Sequence, residues 1–242
     1  MPPLTPRAHL PRRAALAALA SLAACGPTRL APLTGPPRGR VIVLRGLLNM
    51  FSTGMNFLTA KLRQRNFDAS VHNHIEWDDL AAAVLRADRA GTLVRPFAII
   101  GHSYGADDAI KMANHLGRQG VATDLLVTFD PTAGDPVTAG VLRVLNLYQD
   151  RDSVTRTLVG GPGFTGSLEN QLVTGESHIS IDKQDHLHDQ VIARLEALAA
   201  GREVRAGQPV VAPPQPLLVA PPLPPAQPAR PAPPVPPVRA RR

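Results

Sequence analysis

Cysteine is almost absent from this 242-residue chain: Cys25 is the only one, so no intrachain disulfide can form. Acidic side chains are missing from both ends. Residues 1–25 hold three Arg and no acid, and residues 205–242 hold five Arg and no acid. The formal charge of +7 therefore belongs to the ends, and the middle carries 18 Lys and Arg against 19 Asp and Glu. A middle with a net charge of −1 lacks the basic face that a nucleic-acid binder needs. No internal repeat is visible. The run Gly160-Gly161-Pro162-Gly163 has neither a strand leading in nor a Lys-Ser or Lys-Thr after it, which excludes a phosphate loop. It reads as a flexible loop near the strand ends that lines or covers a site.

The N-terminal residues 1–24 read as a targeting segment. Arg7, Arg12 and Arg13 precede an apolar stretch that begins at Ala14 to Ala20, too short to span a bilayer. It ends in Leu22-Ala23-Ala24-Cys25-Gly26, the pattern of a bacterial lipobox. The expectation is a lipoprotein: Cys25 is lipidated, becomes the mature N-terminus and anchors the protein to a membrane without spanning it. Arg12-Arg13 also raises a twin-arginine export route, to which the following residues are a poor match. Residues 25–37, rich in Pro and Gly, then form a tether. The C-terminal residues 205–242 differ in kind. From Pro209 onward, 14 of the chain's 26 prolines fall in 34 residues, a composition that favours extended chain and cannot pack a core. The expectation is a disordered Pro/Arg-rich tail, with contact to the cell envelope through Arg239, Arg241 and Arg242 as its functional alternative. The protein is expected in the cell envelope, facing the periplasm or exterior.

Residues 38–204 remain as one domain, enough for a single core. Apolar runs at Arg40 to Leu44, Ala69 to Val71, Val94 to Ile100, Leu125 to Phe129, Val144 to Tyr148 and Gln171 to Val173 read as strands. Helical patterns lie at Met50 to Arg65, Trp77 to Ala87, Tyr104 to Leu116 and Asp185 to Ala199, the last with Gly201 just past its end. Alternating strands and helices predict an α/β fold, a mostly parallel sheet with helices on both faces. In such sheets chemistry gathers at the carboxyl ends of the strands.

The strongest local signal is Phe97-Ala98-Ile99-Ile100-Gly101-His102-Ser103-Tyr104-Gly105-Ala106, a buried strand turning sharply into a helix with a serine at the apex. Gly101 and Gly105 suit a turn too tight for side chains on either side of Ser103. This is the G-x-S-x-G nucleophile elbow, with Tyr104 N–H as an oxyanion donor. A serine hydroxyl is inert near neutral pH unless a base takes its proton. Eight histidines compete for that role. His9 lies in the targeting segment, His102 points away from the apex, His72 and His74 precede the elbow, and His115 lies at the far end of its helix. His186 and His188 fall on the closing helix, where they read as solvated. His178 lies in the loop after the last strand. The acid that orients the base is Asp130, ending one strand, or Asp150 or Asp152 after the next; Asp130 before Pro131 also suits a plain turn. The second oxyanion donor is expected from Leu47 N–H, just past Gly46. Asn49, Ser52 and Thr53 are further candidates to point into the site, and no HGGG run is present. Asp182, Asp185, His186, His188 and Asp189 resemble metal ligands only on paper, and Asp185 reads as a helix cap. Asp107 and Asp108 suit the first turn of the elbow helix, where the macrodipole favours acids.

The order Ser103, Asp130, His178 resembles that of the α/β-hydrolase superfamily over most of residues 38–200. More narrowly the chain resembles a group of small bacterial lipase- or thioesterase-like members. The matching stretches are Arg45-Gly46-Leu47-Leu48-Asn49-Met50-Phe51-Ser52-Thr53-Gly54-Met55, the elbow, Val127-Thr128-Phe129-Asp130-Pro131, Asn146-Leu147-Tyr148-Gln149, and Ser177-His178-Ile179-Ser180-Ile181-Asp182. The resemblance implies His178 as the base and Asp130 as the acid. It implies a serine hydrolase that cleaves small-molecule or lipid-like carboxylic esters or thioesters through an acyl-enzyme, with no metal and no cofactor. No insertion is long enough for a large helical lid, so the expected site is open and shallow. Two rivals stand beside this reading: an amide or peptide hydrolase with the same triad, and a non-catalytic envelope-binding lipoprotein.

Overall fold

The computed structural model describes residues 30–47, 52–150 and 156–206. Within them the order is β1 (Arg40–Arg45), α1 (Thr53–Gln64), β2 (Asp68–Asn73), α2 (Trp77–Arg89), β3 (Phe97–His102), α3 (Tyr104–Arg118), β4 (Leu125–Phe129), β5 (Arg143–Tyr148), β6 (Ser167–Leu172) and α4 (Asp185–Ala206). The six strands form one sheet in the order β2-β1-β3-β4-β5-β6, and every neighbouring pair is parallel.

Side chains alternate across a strand, so each central strand feeds two cores. Val41, Val43, Ala98, Ile100, Val127 and Leu147 face α1 and α4, where Met55, Leu58, Leu62, Leu187, Val191 and Leu195 cover them. Ile42, Leu44, Phe97, Ile99 and Leu126 face the other way, under Ala81 and Val84 of α2 and Ile110, Met112 and Leu116 of α3. The expected sheet with helices on both faces is therefore present. Central strands buried on both faces read as continuous apolar runs, as β3 and β4 do.

The boundaries differ from the sequence reading where polar chemistry intervenes. Strand β3 starts at Phe97 because Pro96 has no N–H to give the ladder, and Phe97 N–H donates to the buried Asp124 carboxylate (2.8 Å). Strand β6 is polar and lies at the sheet edge, so apolar content alone finds only its last residues. Helix α4 does not stop before Gly201 but runs on to Ala206. Glycine costs a helix interior only about 0.5–1 kcal/mol, and Leu187, Val191, Leu195 and Ala199 already anchor this one. Helix α1 begins at Thr53, and Met50 of the expected helix lies outside the described residues. Ahead of β1, Ala31, Thr34 and Pro36 hydrogen-bond to Arg63 and Asn66 at the end of α1, so this part of the expected tether lies against the domain. Residues 1–29, including Cys25, and residues 207–242 are outside the described residues. Among the described residues, no helix is long and apolar enough to cross a membrane.

The reading of His188 as solvated is corrected: it is 1% exposed and contacts the carbonyl oxygen of Asp182 through Nε2 (2.7 Å). On α4 Val191, Ile192, Leu195 and Ala199 are buried on one face, and His188 shares it. Burial holds the pKa of His188, and of the equally buried His102, below the ordinary 6.5. Below that value the unfolded chain takes up protons that the folded rings refuse, so stability falls as pH falls. Urea unfolding midpoints are expected to drop steadily between pH 7 and 5, and His188→Gln should flatten that slope.

Candidate active site

The strand–turn–helix at residues 97–118 sets the site. Ser103 has φ 59° and ψ −130°, outside the conformations that a residue with a Cβ prefers. The turn is possible because a Cβ at Gly101 would collide with the Gly105 carbonyl, and one at Gly105 with the Leu44 carbonyl. The chain crosses itself at contact distance there. Ser103 N–H continues the β3–β4 ladder to Phe129 O (3.0 Å), while Ser103 O accepts from Ala106 N–H (2.8 Å) to start α3. Tyr104 N–H is the first of α3 and so has no acceptor within the helix.

Ser103, His178 and Asp130, 75 residues apart at the extremes, lie in one hydrogen-bonded row. Ser103 Oγ is 2.9 Å from His178 Nε2, and His178 Nδ1 is 2.6 Å from Asp130 Oδ2. Asp130 is fully buried, and it too has a positive φ, 49°. Its carboxylate accepts from Gln149 Nε2 (3.2 Å) and lies 3.3 Å from Arg156 Nε. Asp150 is exposed, and Asp152 lies outside the described residues. The loop after β5 thus sends Gln149, not Asp150, to this row.

Two further side chains shape the surroundings. Asp107 does more than suit the start of a helix. It is buried, and its carboxylate gathers the N–H groups of Thr132 (3.0 Å), Ala133 (2.9 Å) and Gly134 (3.3 Å) and the Thr132 hydroxyl. The loop that follows Asp130 is thereby fastened to the helix that follows Ser103. Asn146, inside β5, donates to Arg156 O (2.7 Å) and to Asn170 Oδ1 (2.8 Å), and so holds the segment that carries Arg156. Its strand neighbours Val144, Leu145 and Leu147 are apolar and buried.

His102 does not simply point away. It is buried, lies with its ring centroid 5.1 Å from that of His178, and lines the same pocket. That pocket, about 260 Å³, is bounded by Leu47, Ser52, His102, Ser103, Tyr104, His178 and Ile179. Leu47, Tyr104 and Ile179 are each about half exposed and give it an apolar rim. Ser52 was expected here and is present; Asn49 lies outside the described residues, and Thr53 opens α1. Gly46 approaches so closely that a Cβ on it would stand 2.9 Å from Ser103 Cβ. The glycine loop at 160–163 does not line this pocket. Gly160 bridges to Val137, and Gly161 lies on Pro136 and Thr138.

The acidic and histidine residues near α4 do not converge. Asp182 turns inward to accept from Gly54 N–H (3.0 Å), Asp185 and Asp189 reach Lys61 at 2.8 and 3.8 Å, and His186 is exposed. Lys61 beside Asp185 holds that carboxyl below its ordinary value. Among the described residues no group of three or more His, Cys, Asp or Glu could hold a metal ion. The Asp107 clamp gives a direct expectation. Asp107→Ala orphans three backbone donors, each worth about 1–3 kcal/mol if left unpaired. Urea denaturation should show a loss of about 2–4 kcal/mol, and Asp107→Asn a smaller one.

The fold is similar to that of esterase PE8, with a TM-score of 0.50 and 13% identity over 71% of this chain and 98% of that one. Likeness at this identity speaks for the fold alone. Est1E from Butyrivibrio proteoclasticus aligns with a TM-score of 0.45 and 12% identity, over 72% of this chain and 91% of its own. Human thioesterase 2 aligns with a TM-score of 0.46 and 14% identity, over 66% and 97%. No curated protein matches the chain closely enough to count as a relative. The family model of the thioesterase domain matches residues 39–162, just over half of the chain. With that match and this fold, the chain belongs to the thioesterase-domain family, within the α/β-hydrolase superfamily of ester and thioester hydrolases.

Proposed function

We propose that the protein is a serine hydrolase that cleaves carboxylic esters or thioesters through an acyl-enzyme. The observation that carries this reading is the row from Ser103 Oγ through His178 to the buried Asp130. In the first half-reaction Ser103 Oγ attacks the substrate carbonyl carbon and its proton passes to His178 Nε2. Asp130 accepts from Nδ1–H, keeps the ring in the tautomer that leaves Nε2 free, and stabilises the imidazolium that forms. The oxyanion of the tetrahedral intermediate is taken by Tyr104 N–H at the positive end of α3 and by Leu47 N–H. His178 then returns the proton to the departing thiol or alcohol. Water enters, gives its proton to His178, and attacks the acyl-serine. Collapse of the second tetrahedral intermediate frees Ser103 and the carboxylic acid. Gln149 and Arg156 hold the Asp130 carboxylate in register throughout. No step needs a metal or cofactor.

The apolar rim of Leu47, Tyr104 and Ile179 supports an apolar acyl group as the substrate's bound portion. A fluorophosphonate probe, which reacts only with an activated serine, should label the full chain. Ser103→Ala and His178→Ala should abolish labelling and lower kcat by roughly 10⁶-fold, and Asp130→Asn by roughly 10⁴-fold. A folded wild type that neither labels nor hydrolyses an acyl thioester would sink the reading.

We propose, from the residues around Cys25 alone, that the mature protein is lipid-anchored in the cell envelope. Cells fed a radiolabelled fatty acid should transfer label to the wild type and not to Cys25→Ala, which should leave the membrane fraction.

A further inference from the structure

Ser52 stands at the start of α1 yet makes no cap with its side chain. Its hydroxyl is buried, and so is His102. Gly46 N–H donates to Ser52 Oγ (2.8 Å), Ser52 Oγ lies 2.7 Å from His102 Nδ1, and His102 Nε2 lies 2.7 Å from the backbone oxygen of His178. With a neutral imidazole the direction of every bond in this chain follows. A carbonyl oxygen only accepts, so His102 carries its proton on Nε2. Its Nδ1 is then an acceptor, and Ser52 must be the donor to it. The Ser52 oxygen is left to receive Gly46 N–H. One hydroxyl and one imidazole thus join three separate loops: the turn after β1, the end of β3 beside Ser103, and the loop that carries His178.

We infer that Ser52 and His102 are positioning residues, which together fix the Gly46–Leu47 turn and the His178 backbone against Ser103. This inference rests on the Ser103–His178–Asp130 reading above. The geometry explains what each bond does. Gly46 N–H is taken up by Ser52, and the next N–H, that of Leu47, belongs to a residue that lines the pocket. A Cβ on Gly46 would stand 2.9 Å from Ser103 Cβ and 3.0 Å from Ser52 Oγ, so the two serines together leave the turn no slack. The bond to the His178 carbonyl holds the base's own backbone, while Asp130 holds its ring.

The charges around His102 fit a ring that stays neutral. Burial opposes the charged form most; Asp182, 4.0 Å from Nδ1, and the bond to the His178 carbonyl favour it, and the charges of the His178 ring and Lys183 oppose it. Asp182 is engaged elsewhere, by Gly54 N–H and Lys183 Nζ (3.1 Å). A protonated His102 would present Nδ1–H to Ser52 and reverse the Ser52–His102 bond, leaving the Ser52 oxygen to accept from both Nδ1–H and Gly46 N–H.

The experiment compares Ser52→Ala, Ser52→Cys and Ser52→Thr in the full chain, with urea midpoints measured alongside. Misplacing a reacting group by about 1 Å costs up to roughly 100-fold. With p-nitrophenyl butyrate, Ser52→Ala should lose about 10- to 100-fold in kcat while KM stays within about twofold. Ser52→Cys keeps the volume but offers a weak S–H donor, and should lose a similar amount. Ser52→Thr restores the hydroxyl and should recover most of the rate. A trifluoromethyl ketone, which forms a tetrahedral adduct, should bind Ser52→Ala more weakly in step with kcat/KM. The matching methyl ketone should bind unchanged. Wild-type turnover and probe labelling in both Ser52→Ala and Ser52→Cys would overturn the inference and leave the triad reading intact. So would equal losses for the two ketones, which would mark a general loosening. A wild type that fails to label removes the triad reading first, and this inference with it.

Discussion

The backbone at Ser103 is held in a conformation that a residue with a Cβ occupies only at a cost of order 1–3 kcal/mol, and the geometry around the site follows from how that cost is met. The ladder bond from Ser103 N–H to Phe129 O and the helical bonds to Ser103 O fix it from both sides. Gly101 and Gly105 let strand and helix cross at contact, and Gly105 in turn lies on the Leu44 carbonyl at the end of β1. The same crowding therefore presses the turn after β1 against the serine. In a parallel sheet the carboxyl ends of β1, β3 and β4 are neighbours by topology. The tight turn converts that neighbourhood into contacts of side-chain length.

Buried aspartates finish the work. Asp107, Asp108, Asp124, Asp130 and Asp182 are all nearly inaccessible, which is rare for a carboxylate unless it is paired or hydrogen-bonded. Four of them accept from backbone N–H groups of a segment distant in sequence: Asp107 from residues 132–134, Asp124 from Phe97, Asp130 from Gln149 and Asp182 from Gly54. Asp108 instead joins α3 to the segment after β2 through His74 (2.6 Å). Each satisfies donors that a loop would otherwise offer to water, and each fixes a loop relative to the sheet. The middle of the chain is close to neutral, and part of its acidic content is spent in the interior rather than on the surface.

This division explains what could be read from the residues. The sheet, its helices and the elbow follow from apolar period and glycine placement, which are local properties. Ser103, Asp130 and His178 each end or follow a strand, but so do Asp150 and Asp152, and it is the family resemblance that favours Asp130; the structure brings the Ser103, Asp130 and His178 side chains together. Asp107, Ser52, Asn146 and Arg156 could not be ranked in the same way. Each is a common residue type in an unremarkable local pattern, and its role comes from a partner tens of residues away that only the folded sheet supplies. His188 misled for the complementary reason. Its place on a helix with charged neighbours suggests solvent, while its register with Leu187, Val191 and Leu195 puts it inside. Helix α4 outran Gly201 because packing upstream outweighed a small propensity cost.

A thioesterase-domain hydrolase with this geometry stands or falls on a covalent intermediate at one oxygen atom. The most direct test is acid quench of the full chain during turnover of an acyl thioester, followed by peptide mass spectrometry. The account predicts that the acyl mass appears on the peptide containing Ser103 and decays at the rate of turnover. Hydrolysis that proceeds with no acyl mass on Ser103, or with the mass on another residue, would contradict it.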